Sequence, residues 1–324
     1  MTQETLIQLL ADGEFHSGEE AGSLLGVSRT AIWKQFKKLE LLGLPLEVQK
    51  GRGYRIAGGL DLLDKQKILS LIPESISCAS AGFDIFDSIG STNAVAAEKA
   101  QQGGSHGYFC LAEQQTAGRG RRGREWQSPY GRNVYLSMVW EFQSGAAALE
   151  GLSLSVGVAV ARALSDIGVS SARLKWPNDV LCDNKKLAGI LLEMQGDPAG
   201  LCQVVVGVGV NVDMGKAQTT GISQPWIDAA SIVGCVDRNT FTATLVSHLW
   251  NVLTEFSRRG FAELRDEWSS LDAYKDCEVM VQLGDKWVSG VASGVDSGGG
   301  LVLNVDGVRQ VFKGGEVSVR SQTS

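Results

Sequence analysis

Residues 172–212 read ARLKWPNDVLCDNKKLAGILLEMQGDPAGLCQVVVGVGVNV and contain three apolar segments separated by short polar turns. The segments are rich in residues that favour strands and cover 172–177, 187–194 and 202–212. The DNKK sequence at 183–186 is typical of a hairpin turn. Because hairpins join neighbouring strands in antiparallel order, this stretch predicts a mixed, largely antiparallel sheet rather than a doubly wound parallel one.

The same mixture of elements extends outward over residues 65–271, which we interpret as one α+β domain. Further strands are predicted at 82–89, 108–115 and 133–140. Helices are predicted at 91–102, 147–168 and 240–259. The apolar run at 146–164 is long enough to span a membrane, but it carries two charges and many small residues, so a buried helix is the better interpretation.

Residues 272–324 change in character, because short alternating strands are separated there by G-D, D-S-G-G-G and D-G turns. This pattern predicts a small five-stranded, SH3-like β-barrel as a separate C-terminal domain.

Residues 1–64 have the spacing of a winged helix-turn-helix domain. Ser17 with Glu20 forms a capping pattern, Gly26 marks a tight turn, and Ser28 can cap the next helix. Ile32 and its helical-period neighbours should face the core. After Pro45, the sequence LEVQKGRGYRI predicts a hairpin whose tip carries Lys and Arg.

Two features carry the residues expected to contact DNA: the outward face of the helix that Ser28 caps, and the hairpin tip. These residues are Ser28, Arg29, Thr30, Trp33, Lys34, Lys50 and Arg52. Short polar residues at a helix start can enter a major groove, and nearby cations can contact phosphates. One alternative is a three-helix domain with a solvated basic face. Another is a relic domain that does not bind DNA, because Trp33 is bulky where a recognition helix often has a smaller polar residue.

Composition restricts the remaining possibilities. The 324 residues carry a formal net charge of -6 and six scattered cysteines without metal-site or disulfide spacing. The N-terminus lacks the features of a signal peptide, so we expect a cytoplasmic protein with reduced thiols, no metal site and no membrane association.

A Gly/Arg-rich segment, QQTAGRGRRGREWQSP at 114–129, lies between two predicted strands of this acidic chain. Glycines let backbone N–H groups approach an anion, and guanidinium groups pair with phosphate or carboxylate oxygens. The spacing matches neither a P-loop nor a dinucleotide fingerprint. We therefore expect an anion-binding loop, which Trp126 anchors or closes.

A second cluster surrounds the KWPND sequence at 175–179. Lys186 begins an otherwise apolar strand and can stabilise negative charge beside the Gly/Arg loop. Gly207, Gly209 and Asn211 lie on another strand, where glycines mark close approach of a ligand or are purely structural.

Four segments taken together, EQQTAGRGRRGREWQSPYGRNVYLSMVW, RLKWPNDV, KKLAGILLEM and VGVGVNV, closely resemble the biotin protein ligase family. The N-terminal SGEEAGSLLGVSRTAIWKQFKKL resembles the bifunctional bacterial members, which also repress the biotin operon. The resemblance covers essentially the whole chain and implies the family's catalytic fold for the central domain.

The resemblance implies roles for individual positions. Polar groups that orient the biotin ureido ring and nearby ligand atoms match Ser91, Thr92, Asn93 and Gln115. The loop that folds over biotin and the adenylate matches Arg119, Gly120 and Arg121. Residues near the carboxylate, the phosphate and the adenylate match Lys186, Gly189, Asn211 and Trp226, and the acidic residue that assists the incoming amine matches Asp179.

The implied chemistry has two steps, with Arg121, Lys186 and Asp179 as catalytic residues. Biotin and Mg-ATP give biotinyl-5′-adenylate, and a lysine of the biotin carboxyl carrier protein of acetyl-CoA carboxylase then takes the biotin. The resemblance also implies a homodimer that forms on adenylate binding and contacts operator DNA. A lipoate or octanoyl transferase, and a biotin sensor that no longer ligates, are the alternatives.

Overall fold

The computed structural model describes residues 2–143, 145, 149–196, 201–216, 221–283, 286–313 and 317–321. Along these residues the chain forms a helical unit with a hairpin, then a seven-stranded sheet covered by helices, then a five-stranded sheet. The predicted α+β class is confirmed.

The N-terminal unit has three helices and a hairpin: α1 (Thr2–Leu10), α2 (Gly18–Leu25), α3 (Arg29–Leu41), β1 (Leu46–Gln49) and β2 (Gly53–Ile56). Its core contains the three predicted apolar residues of α3, Ile32, Phe36 and Leu39.

The predicted turn between α2 and α3 is present. Ser17 Oγ accepts a hydrogen bond from Glu20 N at 3.0 Å and caps α2, and Ser28 Oγ accepts one from Ala31 N at 3.3 Å and caps α3. Gly26 ends α2 at φ 63°, in the left-handed region that favours glycine. These caps fix where α3 starts and therefore which of its residues reach solvent.

The central sheet has the strand order β3-β4-β5-β9-β8-β7-β6. Its strands are β3 (Gly82–Ile89), β4 (Tyr108–Gln115), β5 (Asn133–Phe142), β6 (Arg173–Lys175), β7 (Asp179–Cys182), β8 (Lys185–Gly196) and β9 (Cys202–Asn211). β3 and β4 pair in parallel and the other neighbours pair antiparallel, which confirms the predicted mixed sheet. The strand predicted at 172–177 is shorter, because Pro177 has no N–H to donate to a ladder.

Helices cover both faces of this sheet. Their bounds are α4 (Lys65–Leu71), α5 (Glu74–Ala79), α6 (Thr92–Gln101), α7 (Leu152–Asp166), α8 (Ala230–Val233), α9 (Arg238–Arg259) and α10 (Arg265–Leu271). α7 and α9 pack together on the face that presents Leu136 and Met138 of β5, and α6 packs on the face that presents Val139. α7 is confirmed as a buried core helix, and the predicted start of that helix at 147–148 lies outside the described residues.

The C-terminal strands are β10 (Glu278–Leu283), β11 (Lys286–Val295), β12 (Leu301–Val305), β13 (Val308–Phe312) and β14 (Val317–Ser321). The predicted number of five strands is confirmed, and they form an antiparallel sheet in the order β13-β12-β11-β10-β14. Closure of this sheet into a barrel stays a prediction. Trp176 Nε1 donates to Gly299 O at 2.9 Å and so connects the KWPND segment to this unit.

A buried arginine fixes the segment between the N-terminal unit and the central sheet. Arg238, which is 2% exposed, donates from its guanidinium to Glu113 Oε2 at 2.9 Å, to Asn133 O at 2.8 Å and to Asp61 O. Leu63 N donates to the other Glu113 oxygen at 2.5 Å. Because a buried charge without its partner is costly, this joint holds the connecting segment against the sheet.

Candidate active site

One cleft, of about 710 Å³, collects the ligand-binding and catalytic positions predicted from the sequence. The predicted residues that line it are Ser91, Thr92, Asn93, Gln115, Arg119, Gly120, Arg121, Trp126, Asp179, Lys186, Gly189, Asn211 and Trp226. They come from strands and loops that are far apart in the sequence, so the sheet brings them together.

Three glycines form the floor of the cleft, and the side chains of Asn93 and Trp126 pack directly against them. A Cβ at Gly207 would lie 2.2 Å from Asn93 Oδ1, and one at Gly209 would lie 2.7 Å from the Trp126 ring. A Cβ at Gly189 would lie 3.0 Å from the same ring. The sequence left open whether these glycines are purely structural, and the structure shows that close approach of Asn93 and Trp126 requires them.

The Gly/Arg loop is tied to the KWPND segment by Arg121. Its Nη1 donates to Asn178 Oδ1 at 3.0 Å, and Asn178 Nδ2 in turn donates to Ile190 O at 2.9 Å. Burial lowers the pKa of the Arg121 guanidinium below its ordinary value, and Arg122 lowers it further, while Asp179 acts in the opposite direction. The guanidinium is therefore partly desolvated, and an anion would gain from pairing with it.

Lys186 and Asp179 form a largely buried ion pair in the cleft. Lys186 Nζ lies 2.7 Å from Asp179 Oδ1, and both side chains are 16% exposed. The ammonium also lies 5.3 Å from the centroid of the Trp126 ring. This arrangement holds a positive and a negative charge side by side in the cleft.

Trp226 is attached to the strand that carries Lys186. Lys186 N donates to Pro225 O at 2.9 Å and Ile227 N donates to Lys186 O at 3.0 Å, so the backbone around Trp226 continues the sheet edge. Asn211 Nδ2 donates to Lys186 O at 3.2 Å and to Ile227 O at 3.1 Å. Asn211 thus holds the lysine and the tryptophan segment together from beneath.

Several residues of the site received no role from the sequence. Asn178 lies inside KWPND, and its position between Pro177 and Asp179 was the available signal. Ser137 and Glu193 contact Asn93, which required knowledge of which strands are neighbours. That knowledge was missing because hairpin spacing does not give the order of distant strands.

The predicted DNA-contacting residues lie on the N-terminal unit and precede all the predicted cleft residues in the sequence. Thr30, Trp33, Lys34 and Lys50 are exposed, and the side chain of Arg29 lies outside the described residues. Ser28 is exposed, although its Oγ also caps α3. Arg52 is exposed as well, with its guanidinium carbon 4.4 Å from the Phe15 ring centroid.

Metal-binding clusters and membrane-spanning helices are both absent from the described residues. Three or more His, Cys, Asp or Glu side chains do not cluster there in a way that could hold a metal ion. In the part of the chain that is described, every helix is too short or too polar to cross a membrane.

Three family models match the chain. The biotin/lipoate A/B protein ligase family matches residues 85–211, a helix-turn-helix domain matches 2–55, and the biotin protein ligase C-terminal domain matches 278–320. The three matches follow the order of the structural units described above.

Similar proteins carry related names. The bifunctional ligase/repressor BirA of Salmonella typhimurium is 40% identical over 98% of this chain and 97% of its own length. The biotin–[acetyl-CoA-carboxylase] ligase of Paracoccus denitrificans is 36% identical over 70% of this chain and 96% of its own. A solved biotin protein ligase from Aquifex aeolicus, in complex with biotin and ATP, has a TM-score of 0.64 at 27% identity and covers 75% of this chain and 100% of that one.

Proposed function

We infer the function of this chain from its family, because it belongs to the biotin protein ligases and resembles their bifunctional ligase/repressor members over 98% of its length. It is an ATP-dependent biotin protein ligase with an N-terminal DNA-binding unit. The observation that supports the assignment of a site is the cleft in which Arg121, Lys186 and Asp179 lie beside a floor of glycines.

We assign the functions of the chain to three domains. Residues 1–64 are a winged helix-turn-helix domain that binds DNA, residues 65–271 are the catalytic domain, and residues 272–324 are the C-terminal SH3-like barrel. The contact between Trp176 and Gly299 supports cooperation of the last two, because it places the C-terminal sheet beside KWPND.

The first step joins biotin to AMP. A biotin carboxylate oxygen attacks the α-phosphorus of ATP, a new O–P bond forms, and pyrophosphate leaves. The main barrier is repulsion between a carboxylate and a polyphosphate, and Arg119, Arg121 and Lys186 reduce it by placing three cations around the reacting groups. Trp226 stacks over the adenine, and Asn211 keeps Trp226 beside Lys186.

Mg²⁺ would reduce the same repulsion by neutralising phosphate charge. This ion usually binds through substrate phosphates and one or two carboxylates rather than through a protein cage. The cleft fits that mode, because the Asp179 carboxylate lies in it beside the cations that would hold the substrate phosphates.

The second step transfers biotin to a lysine of the biotin carboxyl carrier protein. The lysine nitrogen attacks the acyl carbon of biotinyl-5′-adenylate, the bond to AMP breaks, and an amide forms. We assign to Asp179 the acceptance of the proton that the amine loses, because it is a carboxylate that lines the cleft beside Lys186.

The ligase activity can be tested directly. Purified protein with ATP, Mg²⁺ and radiolabelled biotin should transfer label to a purified carrier domain, and pyrophosphate should appear. Lipoate in place of biotin should give no transfer. Transfer of lipoate at the biotin rate would instead support a lipoate or octanoyl transferase.

For the DNA-binding half, we propose that biotinyl-5′-adenylate acts as corepressor in the cytoplasm. The adenylate orders the Gly/Arg loop, the ordered loop favours a homodimer, and two α3 helices then contact a two-fold biotin operator. The carrier protein competes for the same surface and relieves repression.

A gel shift on the promoter of the biotin genes tests this switch. Operator binding should require the adenylate and should fall when unbiotinylated carrier is titrated in. The Arg29→Ala, Lys34→Ala double variant should lose operator binding and retain ligation. Operator binding by a monomer, or binding that ignores both ligands, would contradict the switch.

A further inference from the structure

A chain of hydrogen-bonded side chains crosses the cleft and begins at Glu193 on β8. Glu193 Oε2 accepts from Asn93 Nδ2 at 2.7 Å, and the other carboxylate oxygen lies 3.4 Å from Arg119 Nη2. Asn93 Oδ1 accepts from Ser137 Oγ at 2.6 Å. We call the connected residues, from Glu193 to Ser128, the Glu193 chain.

The chain continues to the far end of the Gly/Arg loop. Ser137 Oγ lies 2.7 Å from Thr92 Oγ1, and Thr92 donates through both N and Oγ1 to Gln115 Oε1, at 2.8 and 3.0 Å. Gln115 Nε2 donates to Ser128 Oγ at 3.3 Å, and Ser128 donates to Trp126 O at 2.9 Å. Both ends of the loop are therefore linked through one network beneath the cleft.

Most of the network is closed to solvent. Asn93 and Thr92 are each 4% exposed and Ser137 is fully buried. Gly207 leaves the space that Asn93 occupies, since a Cβ there would lie 2.2 Å from Asn93 Oδ1. Buried polar groups need defined partners, so the direction of each hydrogen bond matters.

The carboxylate of Glu193 sets these directions. A carboxylate only accepts hydrogen bonds, so Asn93 must present Nδ2 to Glu193 and Oδ1 to Ser137. The single Ser137 hydrogen then goes to Asn93 Oδ1, because that oxygen can only accept. Thr92 Oγ1 also has one hydrogen, which Ser137 Oγ or Gln115 Oε1 can accept. Glutamine at position 193 could donate as well as accept, and this ordering would be lost.

We propose that Glu193 is a positioning residue for biotin. It fixes the donor and acceptor pattern that Thr92, Asn93 and Gln115 present to the polar ureido ring, and it restrains Arg119 at the start of the loop. This inference rests on the proposed ligase function, because it concerns the substrate pocket of that reaction.

The test compares Glu193→Gln with the unmodified protein in steady-state adenylation, measured by pyrophosphate release. The KM for biotin should rise about tenfold, the size expected for disturbing one charge-assisted hydrogen bond. The KM for ATP and kcat should change by less than about threefold, because an ordering defect at the ureido end weakens biotin binding in ground state and transition state alike. An unchanged KM for biotin, or an equal rise for ATP, would overturn the proposal.

Ser137→Ala provides a second readout that a general loss of structure would not give. If both residues act through the Asn93 amide, the double variant should raise the KM for biotin no further than the more severe single variant. Multiplicative effects would show that the two act separately and would contradict the chain.

Glu98→Gln is the matched control, since Glu98 is an exposed carboxylate on the same helix as Asn93 and its change removes the same charge. It should bind biotin like the unmodified protein. If neither the unmodified protein nor this control forms an adenylate, the proposed function fails; if both form it and Glu193→Gln matches them, only the role of Glu193 fails. A cooperative melting transition measured without biotin checks that each variant is folded.

Discussion

The two basic regions of this acidic chain use their cations in opposite ways. On α3, Lys34 and Lys38 are exposed to solvent, and the exposed Lys37 pairs with Glu40 on its own helix. In the cleft, Lys186 is largely buried against Asp179, and Arg121 is held by Asn178.

This difference separates two kinds of recognition. Exposed cations attract a polyanion over a distance and are weakened by salt, so each one contributes modestly. Cations held in a partly desolvated cleft interact strongly with one small anion in one position. The first region suits a DNA backbone and the second suits an acyl phosphate, and the variants below test that division.

Lys186→Ala should have the largest effect. Removing a held cation beside the reacting groups should slow adenylation by about 10² or more. Transfer from presynthesised biotinyl-5′-adenylate should suffer less, because the phosphate repulsion has already been overcome. Single-turnover measurements of the two steps check this, and equal losses in both would show that the lysine is merely structural.

Arg121→Ala should come next. Loss of its guanidinium should weaken retention of the adenylate by about 2 kcal/mol, roughly 30-fold, as expected for charge-assisted contacts. Escaped adenylate should then label lysines of bystander proteins. Arg258→Ala, which removes an exposed arginine at the end of α9, should keep the adenylate as the unmodified protein does.

Lys34→Ala should have a smaller effect with a different signature. Loss of one phosphate contact should lower operator affinity severalfold and reduce the slope of log affinity against log salt by about one. The exposed Lys275 supplies the control, and Lys275→Ala should leave the slope unchanged. If Lys34→Ala impaired adenylation instead, the two basic regions would not be separate in function.

The smallest expected effect is the pH dependence of stability, and its sign differs between a histidine of the N-terminal unit and a histidine of the central domain. In His16 of the N-terminal unit, burial lowers the pKa, but hydrogen bonds that the ring donates to Glu20 and Asp12 outweigh burial and raise the pKa above 6.5. Its stabilising contribution is therefore complete below pH 6.5 and is lost as pH rises through the higher folded pKa. In His106, burial lowers the pKa below 6.5, although Glu141 opposes the shift.

The contribution of His106 is accordingly present above pH 6.5 and is lost as pH falls through its lower folded pKa. Melting curves of His16→Gln and His106→Gln between about pH 5.5 and 8 should diverge from the unmodified protein at opposite ends of this range. Divergence of both variants at the same end would show that the pKa of at least one of the two histidines shifts in the other direction.

Much of the fold could be predicted from local pattern. β3 and β4 occupy the predicted residues 82–89 and 108–115, because alternation and turn residues specify a strand without reference to its partners. α9 begins at Arg238, two residues before the predicted start, since Asp237 caps it. The short helices α4, α5 and α10 were missed, because six or seven residues are too few to show a helical period.

The site was predictable as a set of residues and not as a network. The family resemblance gave the residues that now line one cleft, and the Gly/Arg loop gave a reason for anion binding. The position of the Trp126 ring on Gly209 and the contact of Glu193 with Asn93 depend on strand order. Such contacts join residues about a hundred positions apart, and no local pattern encodes them.

Because of the joint around Arg238, a cut after Asp64 would remove partners of a buried charge together with the N-terminal unit. Cutting the chain after Asp64 would take away the Asp61 carbonyl and the Leu63 amide, while Arg238 and Glu113 would stay in the interior with fewer partners. Glu113 lies two residues before Gln115 on the same strand, so the damage would begin close to the substrate. The segment that connects the two units thus contributes to the interior of the enzyme, and a catalytic half that begins after Asp64 should be a weaker ligase because Arg238 and Glu113 lose these partners.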